Sequence, residues 1–275
     1  MAQNPLQQYF RQPKIFIGLP SNGVYNKPGT IAGDASHMPV FGMTGMDEIL
    51  MKTPDALLAG ESTVKVIESC CPFIKDAWDI SVIDLDLILS AIRIATYGNT
   101  MNVKHVCPNC STENEYDINL STIIEHTATC KYNNSIVLDE LTVKIRPITY
   151  KESTDYSQQN FQIRQKIFQT DAITDDVERK KIVSELLQEL AVLQNQIIAS
   201  GIESVNVSNQ VVSEKDFIIE WLQNTDKTIF DRIKERYQQN QEEWRTPDQV
   251  VVCENCNTTN TLAIELDNSN FFENA

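Results

Sequence analysis

The chain has 275 residues, 41% of them hydrophobic, and a formal net charge of -15. That length and apolar content allow one large cored domain or two modest ones. The acidic balance excludes a duplex-binding protein, whose affinity rests on neutralising phosphates with lysine and arginine. No apolar run approaches a membrane span and no secretory leader pattern opens the chain, so a reducing cytosol is the expected setting for its cysteines.

Residues 1–43 are punctuated by proline, glycine and asparagine. A strand-like piece over 14–19 is followed by the turn chemistry of Pro20, Ser21, Asn22 and Gly23, and the segment reads as an extended N-terminal arm lying on a neighbour. Helical patterning begins at Thr44, a capping residue with Asp47 and Glu48 in the first turn, where the helix dipole favours acids. Ile49, Leu50, Leu57 and Leu58 supply its apolar positions, and Pro54 divides it. A short helix is predicted over 62–71, stopped by Pro72. The clearest helix of this half covers 84–97. Leu85, Ile88, Leu89 and Ile92 recur at helical spacing, and Gly98 stands where a helix-ending glycine belongs. Asp84 and Asp86 read as its cap and first-turn acid.

A β-branched run, 103–106, leads into Cys107-Pro108-Asn109-Cys110. Beyond it the pattern predicts a strand over 115–120, one or two helical turns over 121–126, and a β-hairpin over 136–148 with Val137, Leu141, Val143 and Ile145 facing inward. Residues 152–240 then become helical, rich in glutamine and charge. Val177, Val183, Leu186, Leu187, Leu190, Leu193 and Ile197 form a stripe near coiled-coil spacing over 175–200, which Gly201 ends. Ser213 opens a further helix with Phe217, Ile218, Trp221 and Leu222. Thr225 or Asp226 caps a last one through Ile229, Phe230, Ile233 and Tyr237. A second β-branched run, 250–252, leads into Cys253-Glu254-Asn255-Cys256, and Leu262, Ile264 and Leu266 mark a returning strand.

The two cysteine pairs match beyond their sulfurs: Cys-Pro-Asn-Cys-Ser-Thr-Glu-Asn in the first, Cys-Glu-Asn-Cys-Asn-Thr-Thr-Asn in the second. A strand, a tight turn carrying two thiolates and a second strand make half of a zinc ribbon. Two halves supply the four sulfurs that a tetrahedral structural zinc takes. Cys107, Cys110, Cys253 and Cys256 are therefore the expected ligands of one Zn2+ per chain. The alternatives are ordinary buried thiols or a redox couple, and His105 is a competing ligand by position. Seven cysteines cannot all pair, so Cys70, Cys71 and Cys130 are read as reduced.

A four-thiolate zinc has no open position at which to activate water. The sequence carries no phosphate-binding glycine loop, nucleophile elbow or His-Glu-x-x-His motif, and only His37, His105 and His126 as histidines. No enzyme, small-molecule substrate, nucleic-acid or membrane role is expected.

Leu19-Pro20-Ser21-Asn22-Gly23 with Tyr25, Met46-Asp47-Glu48-Ile49-Leu50 with Leu57-Leu58-Ala59-Gly60, Val66-Ile67-Glu68-Ser69-Cys70, the helix Asp86 through Arg93 closed by Tyr97-Gly98, and the Cys-Pro-Asn-Cys turn follow one another. In this order and spacing they resemble the baseplate hub subunit family of T-even-like contractile-tail bacteriophages. The resemblance covers about residues 15–150, with weaker agreement near the second cysteine pair. It implies a non-enzymatic structural or assembly component of the virion tail baseplate hub, built in the host cytoplasm, whose partners are other phage baseplate hub and wedge proteins. Alternatives are an assembly chaperone absent from the mature virion and a zinc-ribbon host transcription adaptor. Trp221, Trp244, Phe271 and Phe272 are the candidate partner anchors.

The expected architecture is α+β. An arm spans 1–43. A helical region with the first zinc knuckle and a β-hairpin follows over 44–150. A helical hairpin or small bundle is inserted over 151–245, and the second knuckle, returning strand and tail complete 246–275.

Overall fold

The computed structural model describes residues 4–52, 60–208 and 210–264. Pro54, Leu57 and Leu58 of the first helical segment, Leu266 of the returning strand, and Phe271 and Phe272 lie outside the described residues. The fold mixes helices with small antiparallel sheets, as the α+β reading expects. The chain divides into two units, one within residues 1–130 and 245–275, the other Lys131–Trp244.

The first unit opens with a hairpin in the stretch that the sequence suggests is an extended arm lying on a neighbour. Strand β1 (Pro13–Ile17) pairs antiparallel with β2 (Met38–Phe41), and Ile17, Leu19, Met38 and Val40 are buried. The prolines punctuate this segment without removing its apolar alternation, so the strand finds its partner within the same unit. Arg11 clamps the approach. Its guanidinium donates to Gly42 O at 2.7 Å and to Ser69 O at 2.6 Å, and it sits 5.7 Å from the Phe41 ring centre.

Helix α1 (Gly45–Met51) begins with a reciprocal cap. Thr44 Oγ1 accepts from Asp47 N, and Asp47 Oδ2 accepts from Thr44 N at 2.8 Å. Helix α2 (Glu61–Cys70) follows, then α3 (Val82–Tyr97), which Gly98 ends at φ 96°. Leu87, Ile88, Leu89, Ala91, Ile92 and Ala95 are all buried. An apolar surface on most sides makes α3 the central helix of its unit, in contact with β1, β2 and α2. Asp84 is no cap: it lies inside the first turn and ties down the loop before β2. Its carboxylate accepts from Ser21 N at 3.0 Å and from Ser21 Oγ. Strands β3 (Thr100–Val106) and β4 (Glu113–Asn119) form the next hairpin, and α4 (Ser121–Thr129) follows.

The second unit is a four-stranded antiparallel sheet covered by helices. Strands β5 (Ser135–Leu138), β6 (Leu141–Ile145), β7 (Ile202–Val207) and β8 (Gln210–Val212) lie in that order. Its inner face carries Ile136, Leu138, Val143, Ile145, Ile202 and Val205. The hairpin predicted from sequence is off by one residue in its first strand: Val137 points outward at 63% exposure, while Ile136 and Leu138 are buried. Strands β7 and β8 correct the sequence reading, which treats this stretch as helical.

Helix α5 (Tyr150–Gln169) and helix α6 (Asp176–Ser200) form the expected helical hairpin, with a small core of Ile163, Leu186 and Leu193. Helices α7 (Lys215–Asn224) and α8 (Lys227–Trp244) pack Ile218, Leu222 and Ile233 on the sheet core. Lys215 Nζ caps the end of α6, donating to Ser200 O at 3.0 Å and Ile202 O at 2.6 Å. In the first unit again, β9 (Gln249–Val252) and β10 (Thr259–Leu262) make the hairpin that carries the second cysteine pair.

Candidate metal centre

The two cysteine hairpins are built alike. In each, the first cysteine N–H donates across the turn to the threonine carbonyl, Cys107 N to Thr112 O and Cys253 N to Thr258 O, both at 2.9 Å. Each first cysteine carbonyl then accepts from the residue after the second cysteine, Ser111 at 2.8 Å and Asn257 at 2.9 Å. Those two residues take the left-handed conformation, φ 56° and 58°. Small polar residues tolerate that geometry better than bulky ones, so the sequence chemistry of the turn and its backbone agree.

The hairpins bring all four sulfurs within 4.8 Å of one another. Cys107 Sγ lies 3.7 Å from Cys256 Sγ, and Cys110 Sγ lies 3.6 Å from Cys253 Sγ. Sulfurs held tetrahedrally at about 2.3 Å from a metal stand about 3.8 Å apart, so the spacing fits a divalent ion. Cys107 and Cys253 are buried, and Cys110 and Cys256 are partly exposed. Hydrogen bonding from Thr258 pulls the Cys256 thiol down to about 5, and Thr112 lowers Cys110 in the same way. Ready deprotonation of Cys110 and Cys256 favours metal ligation, while burial raises Cys253.

His105 is not among the gathered donors, and its buried Nε2 has no hydrogen-bond partner among the described residues. Cys70 and Cys71 are fully buried. Burial and then the Asp47 carboxylate push Cys70 up to about 11, and burial raises Cys71 too, so both are poor ligands and nucleophiles. Cys130 lies 3.5 Å from His126 Nε2, apart from the four-sulfur group. Of the candidate anchors, Trp244 is corrected to a core residue at 8% exposure, and Trp221 is half-buried against the sheet core.

The sequence reading misses the polar residues that join the hairpins. Asn109 Nδ2 donates to Thr258 Oγ1 at 3.1 Å, and Asn255 Nδ2 donates to Thr112 Oγ1 at 3.0 Å. The signal is present in the matched octets, which share asparagine and threonine as well as cysteine.

Two distant hairpins clasped by four converging thiols define a mixed helix-and-sheet protein with a site able to hold a metal ion. The chain belongs to a family described as T4 bacteriophage base plate protein, whose model matches residues 45–273. No curated protein and no solved structure shows significant similarity to it.

Proposed function

We propose that this chain is a structural or assembly component of the baseplate hub, held in shape by one zinc ion on Cys107, Cys110, Cys253 and Cys256. The observation that carries the zinc reading is the four-sulfur cluster, with every sulfur within 4.8 Å of the others. The baseplate role rests on the family match over residues 45–273. Four protein sulfurs fill a tetrahedral shell and leave no position for water or substrate, which supports a structural metal over a catalytic one. Zinc chosen by four thiolates is also the expected ion from ligand softness and geometry. The ion would fasten β3–β4 to β9–β10, hairpins that the chain makes far apart in sequence.

In this reading the partners are other hub and wedge proteins, and the site of action is the tail baseplate. The test is elemental analysis of the purified chain together with co-expression against hub proteins. One zinc per chain and a stable co-purifying complex are expected. A metal-free folded chain with four freely reactive thiols overturns the zinc assignment, and failure to associate with any hub protein overturns the hub assignment. Detection of the chain in purified virions separates a resident component from an assembly factor.

A further inference from the structure

Four thiolates around a divalent cation form a net dianion. The one lysine of β3, Lys104, is engaged by Glu113 at 3.8 Å and Glu115 at 3.1 Å. The sulfurs are met instead by amides. Asn114 of β4, only 6% exposed, donates from Nδ2 to Cys253 Sγ at 3.5 Å. Asn260 of β10, only 7% exposed, donates to Cys107 Sγ at 3.6 Å. Each of these bonds crosses from one hairpin to the buried thiol of the other.

The two asparagines occupy the same place in the matched octets, at the eighth position, and do the same thing. Their surroundings differ at one point. Asn114 Oδ1 accepts from Glu254 N at 3.1 Å, which fixes the amide beside the sulfur, with Oδ1 itself 3.6 Å from Cys253 Sγ. The counterpart of Glu254 in the first hairpin is Pro108, which has no N–H to offer. Asn260 therefore lacks that anchor. Both amides also donate to a carbonyl of their own hairpin, Asn114 Nδ2 to Thr112 O at 3.0 Å and Asn260 Nδ2 to Thr258 O at 3.5 Å.

We propose that Asn114 and Asn260 are positioning residues for the metal, each holding the buried sulfur of the opposite hairpin and drawing off part of its charge. This rests on the metal reading above. An N–H bonded to a thiolate orients the sulfur towards the ion and lowers its electron-donating power, as outer hydrogen bonds do in other metal sites. Because the donors are crossed, neither hairpin is a finished half-site alone: each completes the other.

The experiment uses the full-length chain with Asn114→Ala and Asn260→Ala, and Asn102→Ala as control. Asn102 lies on the same first hairpin but bonds Asp117, at 3.3 Å. Zinc affinity is read by competition with a chromophoric chelator, and the sulfur-to-metal charge-transfer band is read after Co2+ substitution. Each of the two site variants is expected to weaken zinc binding by about 10- to 100-fold, with the larger loss in Asn114→Ala, where Glu254 N–H also loses its partner. In both, the charge-transfer band moves to lower energy, because sulfurs freed of their N–H donors give up electrons more readily. A loss of general stability alone would not move the band.

Wild-type affinity and an unmoved band in both variants overturn the proposal, as does an equal loss in Asn102→Ala. If Asn114→Ala does not fold by circular dichroism, Asn260→Ala decides alone. A wild-type chain that takes up neither Zn2+ nor Co2+ overturns the metal reading and this role with it. Variants that match a metal-binding wild type overturn only the role of the asparagines.

Discussion

Asp84 looks in the sequence like an ordinary acid at a helix start, and its chemistry in the fold is different. Its side chain is fully buried, and burial pushes it up to about 6 against the opposing pull of the Ser21 hydrogen bonds; burial moves Asp86 the same way, to about 6. An acid raised in the folded state stabilises the fold when protonated. Its contribution is complete below the ordinary value of 3.8 and is lost as pH rises through about 6. Asp34, Asp79 and Glu152 are shifted downward, so their contributions are lost at lower pH, as it falls through their folded values. Between pH 5 and pH 7, taken as roughly the window of the two raised groups, stability should therefore fall with rising pH. The substitution Asp84→Asn can keep both Ser21 bonds, since an amide accepts from the backbone N–H and donates to the hydroxyl. Thermal melts of that variant across the window should show a flatter pH dependence than wild type, and an unchanged slope would remove Asp84 as its source.

At the scale of the element, two features of the chain can be checked separately. Strand β1 is paired along β2 with no second protein present. Hydrogen exchange on the isolated chain should find amides of β1 that bond β2 protected, while residues 4–10, which precede the strand and are all exposed, exchange fast. Equal, rapid exchange across residues 4–17 would restore the picture of an arm that orders only on a partner. Gly201 offers the second check. Its φ of -80° suits any residue, but a Cβ there would collide with the Tyr237 hydroxyl. That hydroxyl is buried with no hydrogen-bond partner among the described residues. Gly201→Ala should cost about 1–3 kcal/mol by overpacking, measured by denaturant unfolding. Tyr237→Phe in the same background should recover part of the loss, since it removes the nearest atom. Additive effects of the two substitutions would show that they do not meet.

At the scale of the whole molecule, the second unit lies in sequence between the two hairpins that carry the sulfurs. A zinc ion in such a folding-coupled site contributes on the order of 10 kcal/mol of binding free energy. Cys253→Ser should therefore abolish stoichiometric zinc and raise exchange in β3–β4 as well as in β9–β10, because the ion joins both. Loss confined to the second hairpin would mean that the first stands without the metal. Phe271 and Phe272 lie beyond the described residues, and their role as partner anchors is a separate expectation from composition. Deleting residues 268–275 should leave zinc content unchanged but weaken co-purification with hub proteins. Unaltered assembly would remove the tail from the interface.

Much of the site was legible because its information is local. A cysteine pair, its β-branched approach and the polar residues after it specify one strand–turn–strand half-site, and two octets that share their cysteines, asparagines and threonine announce a pair. Helices α3 and α6 were legible for the same reason: their spacing repeats within one stretch, with Gly98 and Gly201 at their ends. The tertiary structure decided what depends on residues far apart. It paired β6 with β7 across the intervening helical hairpin, and it set Ile136 inward and Val137 outward, a choice worth one residue of register. It also turned Asn114 and Asn260 towards each other's cysteines. Periodicity records which residues want burial along one segment, but a hydrogen bond between distant segments leaves no period in either.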